Sequence, residues 1–300
     1  PWEEVARFKG AQVWATEPDA AWAGFPLTTY QDDSWQIWAL GEFYGDPPDL
    51  PLALGRGADL NGHCLVVAYE IQAGRWHALT NRFNTTHAYH AHNGENAALG
   101  TFSPAVAGAA GVKNLDWAAL AGFFTFGFFL GRDTFWREVQ ILPPANHLIL
   151  DQAGKYAAHE PTWAWYHAPD ADMTYEAGLS GFAERFETVL KDQVRGKSIA
   201  LPLSGGLDSR STLVPLTIGN GNAERLVPFS YGYGENSVET CIARELAEVQ
   251  GLPIQTWTIQ PYLFEQLDQV LAATEGFQDL TLCRQAYVID ELVSQASHIL

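Results

Sequence analysis

The segment IALPLSGGLDSRSTL, residues 199 to 213, ends an apolar run on two glycines and then sets serines and a carboxylate ahead of a second apolar pattern. Gly205 and Gly206 would let the backbone approach a ligand with no Cβ in the way, and would permit positive φ. Ser204 and Ser209 can donate to phosphate oxygens, while the free N–H groups and the dipole of a helix opening here favour an anion. Asp208 suits a phosphate site only if a divalent cation bridges it to the same phosphates, which predicts Mg²⁺. The segment lacks the lysine of G-x-x-x-x-G-K-[ST], which disfavours ordinary hydrolysis of a γ-phosphate. Neither serine has a local histidine base or a G-x-S-x-G elbow, so a serine nucleophile is discounted.

A phosphate loop needs a strand behind it and a helix in front. Strands are predicted at SIALPL, RLVPFSY and PIQTWTI, separated by helices beginning near Ser209, Ser237 and Tyr262, with another helix across RQAYVIDELVSQ. Ahead of them Leu179, Phe182, Phe186, Val189 and Val194 recur at helical spacing. This alternation predicts a parallel sheet with crossover helices, whose ligands sit outside the carboxyl ends of the strands, where the glycine loop lies. The chain up to about residue 165 has another texture. SWQIWALGEFYG (34 to 45), HCLVVAYE (63 to 70), GRWHALTNRF (74 to 83) and HAYHAHNGENAALGTF (87 to 102) read as strands joined by turns, NGEN being a hairpin loop. NLDWAALAGFFTF supplies a helix and LPPANHLILD a proline-initiated strand. The expectation is two domains, 1–165 antiparallel α+β and 166–300 parallel α/β, joined through TWAWYHAPDADM.

The balance of 35 acidic against 17 basic residues, a formal charge of −18, repels phosphate backbones and anionic membranes, so neither nucleic acid nor a membrane is an expected partner. Cys64, Cys241 and Cys283 show no CxxC spacing and fit reduced thiols in a cytoplasm. The longest apolar run, LDWAALAGFFTFGFFLG at 115 to 131, is too short and too broken by glycine for a membrane span and is expected to be core. In HAYHAH, residues 90 and 92 of a strand share a face and His87 takes the other, so the three histidines do not converge on a metal.

LSGGLDSR resembles the pyrophosphatase loop of the asparagine synthetase family, which clamps the pyrophosphate of ATP while a carboxylate attacks the α-phosphorus and becomes an acyl-adenylate. The resemblance implies a C-terminal Rossmann-like domain of the adenine nucleotide alpha hydrolase type. Its cofactors would be ATP and Mg²⁺, with Ser204, Gly205, Gly206, Leu207 and Ser209 on the pyrophosphate and Asp208 on the metal. VPFSYGYGENSVETCIARELAEVQGLPIQTWTI is similar to the family's second strand and helix, placing Tyr231 at the adenine, with Leu201 and Leu203 flanking it. EGFQDLTLCRQAYVIDELVSQASHIL is similar to the segment leading into the next strand, with Arg284 at the position of a family arginine that would face substrate or phosphates. In the family a second glycine and acid loop and a catalytic lysine follow that strand, so the sequence corresponds to the first part of the synthetase half.

The first half resembles the family's glutamine amidotransferase domain, of the N-terminal nucleophile hydrolase fold: WALGEFYGDP looks like its N-G-E-x-Y-N turn, and REVQILPPANHLIL like the stretch that closes the domain. Its chemistry is not matched. The family's first-residue cysteine is replaced by Pro1, Leu40 stands at the oxyanion asparagine, no R-L-S segment binds glutamine, and Cys64 reads as a small buried hydrophobe. Losing one oxyanion donor costs about 3 kcal/mol of transition-state stabilisation, so glutamine hydrolysis is not expected. The resemblance therefore implies an ATP-dependent amide-forming ligase acting on a small-molecule or peptide carboxylate, with ammonia or the substrate itself as amine. The alternatives are glutamine-hydrolysing asparagine synthetase proper and a non-catalytic scaffold that keeps the fold. A sulfur-transfer or NAD-synthesis enzyme of the same superfamily fits less well, because the first half reads as antiparallel. A homodimer is left open.

Overall fold

The computed structural model describes residues 2–8, 10–16, 26–217 and 223–300. The chain divides into two compact units, Pro1–His167 and Ala168–Leu300.

In the first unit, β1 (Trp2–Phe8) and β2 (Ala11–Thr16) form a hairpin. β3 (Leu27–Gln31), β4 (Trp35–Phe43), α1 (Leu50–Arg56), β5 (Gly62–Glu70) and β6 (Arg75–Thr80) follow. Next come β7 (Tyr89–His92), β8 (Ala97–Gly100), α2 (Ser103–Ala109), α3 (Trp117–Phe126), β9 (Val139–Ile141), β10 (Asn146–Leu150) and β11 (Tyr156–Pro161). One antiparallel sheet runs β11-β10-β6-β5-β4-β3 and another β8-β7-β9. Alternation sets the burial: Ile37, Ala39, Cys64, Val66, Ala68 and Leu79 share one core cluster with Leu54 of α1, while Leu65, Ala78 and Leu148 belong to a second. The β7–β8 loop closes as the NGEN turn, where Asn93 Oδ1 accepts from the backbone N–H of Glu95 and Asn96.

The expectation that residues 115 to 131 are core needs correction. Asp116 caps α3 by accepting from the N–H of Ala118 and Ala119, and Gly127 ends it in the left-handed conformation at φ 79°. A helix this short turns only one narrow side inward. Ala119 and Leu120 are buried, whereas Trp117 and Phe124 are 71% and 82% exposed. No helix among the described residues is long and apolar enough to cross a membrane.

The second unit opens with α4 (Tyr175–Val194), capped by the Thr174 hydroxyl on Ala177 N–H. β12 (Ser198–Pro202), α5 (Leu207–Thr217), β13 (Arg225–Gly232), α6 (Val238–Val249), β14 (Gln255–Thr258) and α7 (Leu267–Thr274) then alternate. Two short 3₁₀ turns, Leu280–Leu282 and Arg284–Tyr287, lead to α8 (Ile289–Val293) and β15 (His298–Ile299). The single helix expected across RQAYVIDELVSQ is thus two pieces, and the one expected near Tyr262 starts at Leu267. The sheet is parallel throughout, in the order β14-β13-β12-β15. Both faces are covered, as parallel sheets require. Ile199, Leu201 and Leu203 pack with Leu190 and Val194 of α4, Leu213 of α5 and Ala243 of α6, whereas Ala200, Val227 and Phe229 pack with Val288 and Leu292 on the other side.

Candidate functional site

In chain order the parallel sheet reads third, second, first, fourth strand. β12 is therefore where the order reverses: the chain moves from it to β13 and β14 on one side and returns to β15 on the other. The carboxyl end of a strand at such a reversal opens a crevice, because its two neighbours carry connections in opposite directions. The glycine loop leaves the sheet there, between Pro202 and Leu207.

The loop is open and internally ordered. Gly206, Leu207 and Asp208 are exposed, Leu207 at 75%. Ser204 N–H donates to Ser209 Oγ at 3.1 Å, Gly206 N–H donates to Ser204 Oγ at 3.1 Å, and the two hydroxyl oxygens lie 3.1 Å apart. An anion arriving at the loop would compete for these same hydroxyls while meeting the N–H groups of the first turn of α5, which have no partner within the helix. Neither loop glycine adopts positive φ, contrary to the expectation. Their smallness serves space instead: a Cβ on Gly205 would sit 3.0 Å from Ile242 Cδ1, and one on Gly206 3.3 Å from Ser204 Oγ. Arg210, which the sequence reading left out, folds back on the loop and donates from Nε to Gly206 O and from Nη2 to Gly205 O, both at 3.3 Å. Its signal was a cation directly following the serine of the glycine and acid motif.

Asp208 stands in the first turn of α5, and its carboxylate has no hydrogen-bond or ion-pair partner among the described residues. No group of three or more His, Cys, Asp or Glu among the described residues could hold a metal ion. A single free carboxylate beside a loop able to receive phosphate would suit Mg²⁺, which takes one or two carboxylates plus phosphate oxygens and water. Bound there, the ion would neutralise phosphate charge, with Asp208 as its protein ligand.

The other predicted positions divide. Leu201 and Leu203 are 1% and 2% exposed and belong to the core beneath α4, α5 and α6. Their side chains cannot flank an adenine, and contact from this strand would run through backbone alone. Tyr231 is half-buried at the carboxyl end of β13, two residues past Phe229, whose carbonyl accepts from Leu203 N–H at 2.8 Å. Burial raises its pKa and the Arg284 charge works against that rise. The Arg284 guanidinium lies 5.9 Å from the ring centroid of Tyr233 and also opposes a burial-driven rise at Tyr262, so Arg284 and three tyrosines gather at this end of the sheet. Beside them a cleft of about 390 Å³ is lined by Gly234, Asn236, Thr240, Arg244 and Thr258. Gly232 admits the start of α6 there, since a Cβ would fall 2.1 Å from Ser237 Oγ.

No protein-family model matches the chain, and no curated protein matches it. Among solved structures the chain is similar to glutamine-dependent NAD+ synthetase from Acinetobacter baumannii in complex with adenosine diphosphate, at 16% identity and a TM-score of 0.31. That similarity covers 54% of this chain and 34% of the other, so the chain spans about a third of that structure's length.

The antiparallel unit holds no comparable opening at the segment compared above with an amidotransferase turn. Leu40 and Gly41 lie inside β4, not in a turn, and pair with Leu65 and Cys64 of β5. Gly41 has φ 105°, and a Cβ there would meet His63 O at 2.0 Å. Cys64 is fully buried, and burial, aided by the charge of Asp59, pushes its thiol up to about 12. A thiol so placed is neither ionised nor reachable.

Proposed function

We propose that this chain carries the nucleotide-binding part of an ATP-dependent amide-forming ligase of the asparagine synthetase type. In this reading a carboxylate substrate is activated as an acyl-adenylate with release of pyrophosphate, and an amine then displaces AMP. The observation that supports it most is the open serine and glycine loop at the carboxyl end of β12, where the strand order reverses. Ser204, Gly205, Gly206, Leu207 and Ser209 hold the pyrophosphate, with Arg210 bracing the loop carbonyls and adding positive charge. Asp208 holds Mg²⁺, Tyr231 lies at the adenine, and Arg284 faces substrate or phosphates. The attacking carboxylate bonds to the α-phosphorus as the bond to the bridging oxygen breaks, and pyrophosphate leaves with the negative charge that the loop N–H groups receive.

The amine in this reading is free ammonia or a group of the substrate. Leu40 offers no hydrogen bond at the family's oxyanion position, and Cys64 is sealed with its proton on. The first unit then serves a structural role.

Calorimetric titration with ATP in the presence of Mg²⁺, followed by a pyrophosphate-release assay across a panel of carboxylates, tests the proposal. Asp208→Ala should lower Mg²⁺-ATP affinity at least tenfold while the melting temperature stays within a few degrees, since an exposed loop carboxylate adds little to a core. A variant that binds as well as its parent removes the metal role, and a chain that binds no ATP removes the whole reading.

A further inference from the structure

The HAYHAH strand borders a small cleft in the first unit. It measures about 290 Å³ and is lined by His90, His92, Arg137, Glu138, Lys155 and Tyr156. A buried histidine fixes its frame. His90, 4% exposed, donates from Nε2 to the Gly154 carbonyl at 2.8 Å, and its ring packs edge-on against Tyr156 with centroids 4.8 Å apart. The backbone of Lys155, between those two residues, is therefore held at the edge of β7. The turn before it is closed by Asp151, whose Oδ1 accepts from the N–H of Ala153 and Lys155, both at 2.9 Å.

The charges of the lining do not cancel. Arg137 and Lys155 are exposed, and neither side chain has an ion pair or hydrogen bond among the described residues. Glu138, the one carboxylate of the lining, is committed elsewhere: Oε1 accepts from Asn114 Nδ2 at 3.3 Å, and Oε2 is buried out of a ligand's reach. His92 Nδ1 accepts from Gly94 N–H at 3.0 Å, so Nε2 carries the ring proton and donates whether or not the ring is charged. The Tyr156 hydroxyl accepts from Arg132 Nη2 at 2.5 Å and keeps its own proton to give. Burial lowers the His90 pKa against the pull of its bond to Gly154, and the charges of His92 and Arg132 add to that lowering, so Arg132 is within electrostatic reach of the cleft. The formal charge of −18 repels anions from afar, but salt screens that repulsion beyond about 8–10 Å, whereas these groups act in contact.

An unpaired cation is ordinary on a surface. Two of them lining one cleft with a histidine donor, on a frame set by a buried side chain, suit an anion. We propose that this cleft binds the phosphate group of a small phosphate monoester, its oxygens on Arg137, Lys155 and His92 Nε2. A phosphate presents three terminal oxygens and close to two negative charges near neutral pH, which matches three donors, whereas a carboxylate offers fewer of both. The volume falls just below the usual range of ligand pockets and fits a phosphate on a short carbon skeleton, not a nucleotide. The site lies wholly in the antiparallel unit and is independent of the ATP reading.

Calorimetric titration of the full chain with glycerol phosphate, without nucleotide or Mg²⁺, tests this. Glycerol phosphate should bind, inorganic phosphate should displace it, and acetate should bind at least tenfold more weakly. Arg137→Met and Lys155→Met should each weaken binding about threefold, as exposed ion pairs do, and the double variant about tenfold, with melting temperatures held. The proposal is overturned if glycerol phosphate does not bind, if inorganic phosphate fails to displace it, or if acetate binds as well. It is equally overturned if the double variant binds unchanged, which would put the phosphate at the glycine loop or elsewhere. Should the double variant fail to fold, the exposed single variant Lys155→Met and the ligand comparison on the unaltered chain still decide.

Discussion

The turn after β12 and the paired strand β4 both place a glycine where a side chain would collide, and they use it for opposite ends. At Gly41 the backbone takes φ 105° inside a paired strand, and the absent side chain lets His63 O approach. Its cross-strand partner Cys64 is fully buried. At Gly205 and Gly206 φ is not positive, and the space left free lies against the end of the Ile242 side chain and the Ser204 hydroxyl. The lesson is that an antiparallel interior spends a glycine on closing the sheet, whereas the end of a parallel strand spends it on leaving backbone donors within reach of a ligand.

The contrast is broken most directly by truncating a leucine on each side of the loop boundary. Leu201→Ala, in the core beneath three helices, should cost about 2–5 kcal/mol in denaturant unfolding, and Leu207→Ala, three-quarters exposed, should stay within about 0.5 kcal/mol. Equal losses would mean that the loop is packed rather than open. Adding a methyl group to the glycines comes next. Gly41→Ala should destabilise by on the order of 3 kcal/mol, because backbone strain and a backbone clash arrive together. Gly205→Ala meets only the end of the Ile242 side chain and should cost about 1 kcal/mol or less, its larger effect appearing as lost ATP affinity in the titration.

A smaller effect sharpens the same comparison through pH. In the antiparallel unit His77 Nδ1 and His147 Nε2 lie 2.9 Å apart, and His77 Nε2 is 3.3 Å from Glu70 Oε2. Burial, with His77 second, lowers His147 to about 4 from its ordinary 6.5, and burial also lowers His77 against the pull of Glu70. The unfolded chain takes up these protons near pH 6.5, whereas in the folded chain His147 does so only near 4 and His77 below its ordinary value, so stability is full above about pH 6.5 and falls as pH drops toward 4. Thermal melting across that range should show the decline, and His147→Leu should flatten part of it. An unchanged slope in the variant would assign the acid sensitivity to other groups.

Much of the architecture was legible because it depends on periodicity. The strands read at 34 to 45, 63 to 70 and 74 to 83 became β4, β5 and β6, and SIALPL, RLVPFSY and PIQTWTI became β12, β13 and β14, since β-branched and aromatic alternation is a local property. The segment RQAYVIDELVSQ misled for the same reason. Its apolar spacing is helical, yet the chain breaks at Val288, which is buried with Phe229 against the sheet, and only Ile289–Val293 remains regular helix. Leu201 and Leu203 misled differently: adjacency to the loop in sequence suggested a ligand contact, while strand alternation turned both toward α4, α5 and α6. The cleft of about 290 Å³ beside the HAYHAH strand could not be read at all. Glu138 and Lys155 are separated from His90 and His92 by tens of residues and line one cleft with them only once the chain has folded.

What the residues determined alone was the kind of chemistry and where along the chain it sits: a small, hydroxyl-bearing, acid-containing turn between an apolar strand and a helix. Tertiary structure decided which neighbours stay reachable, putting that turn where the strand order reverses, sealing Cys64, and bringing Glu138 to the same cleft as His90 and His92. The reason is physical. Backbone preference and hydrophobic period act over a few residues, whereas burial, pKa and the meeting of distant charges depend on which surfaces the folded chain removes from water.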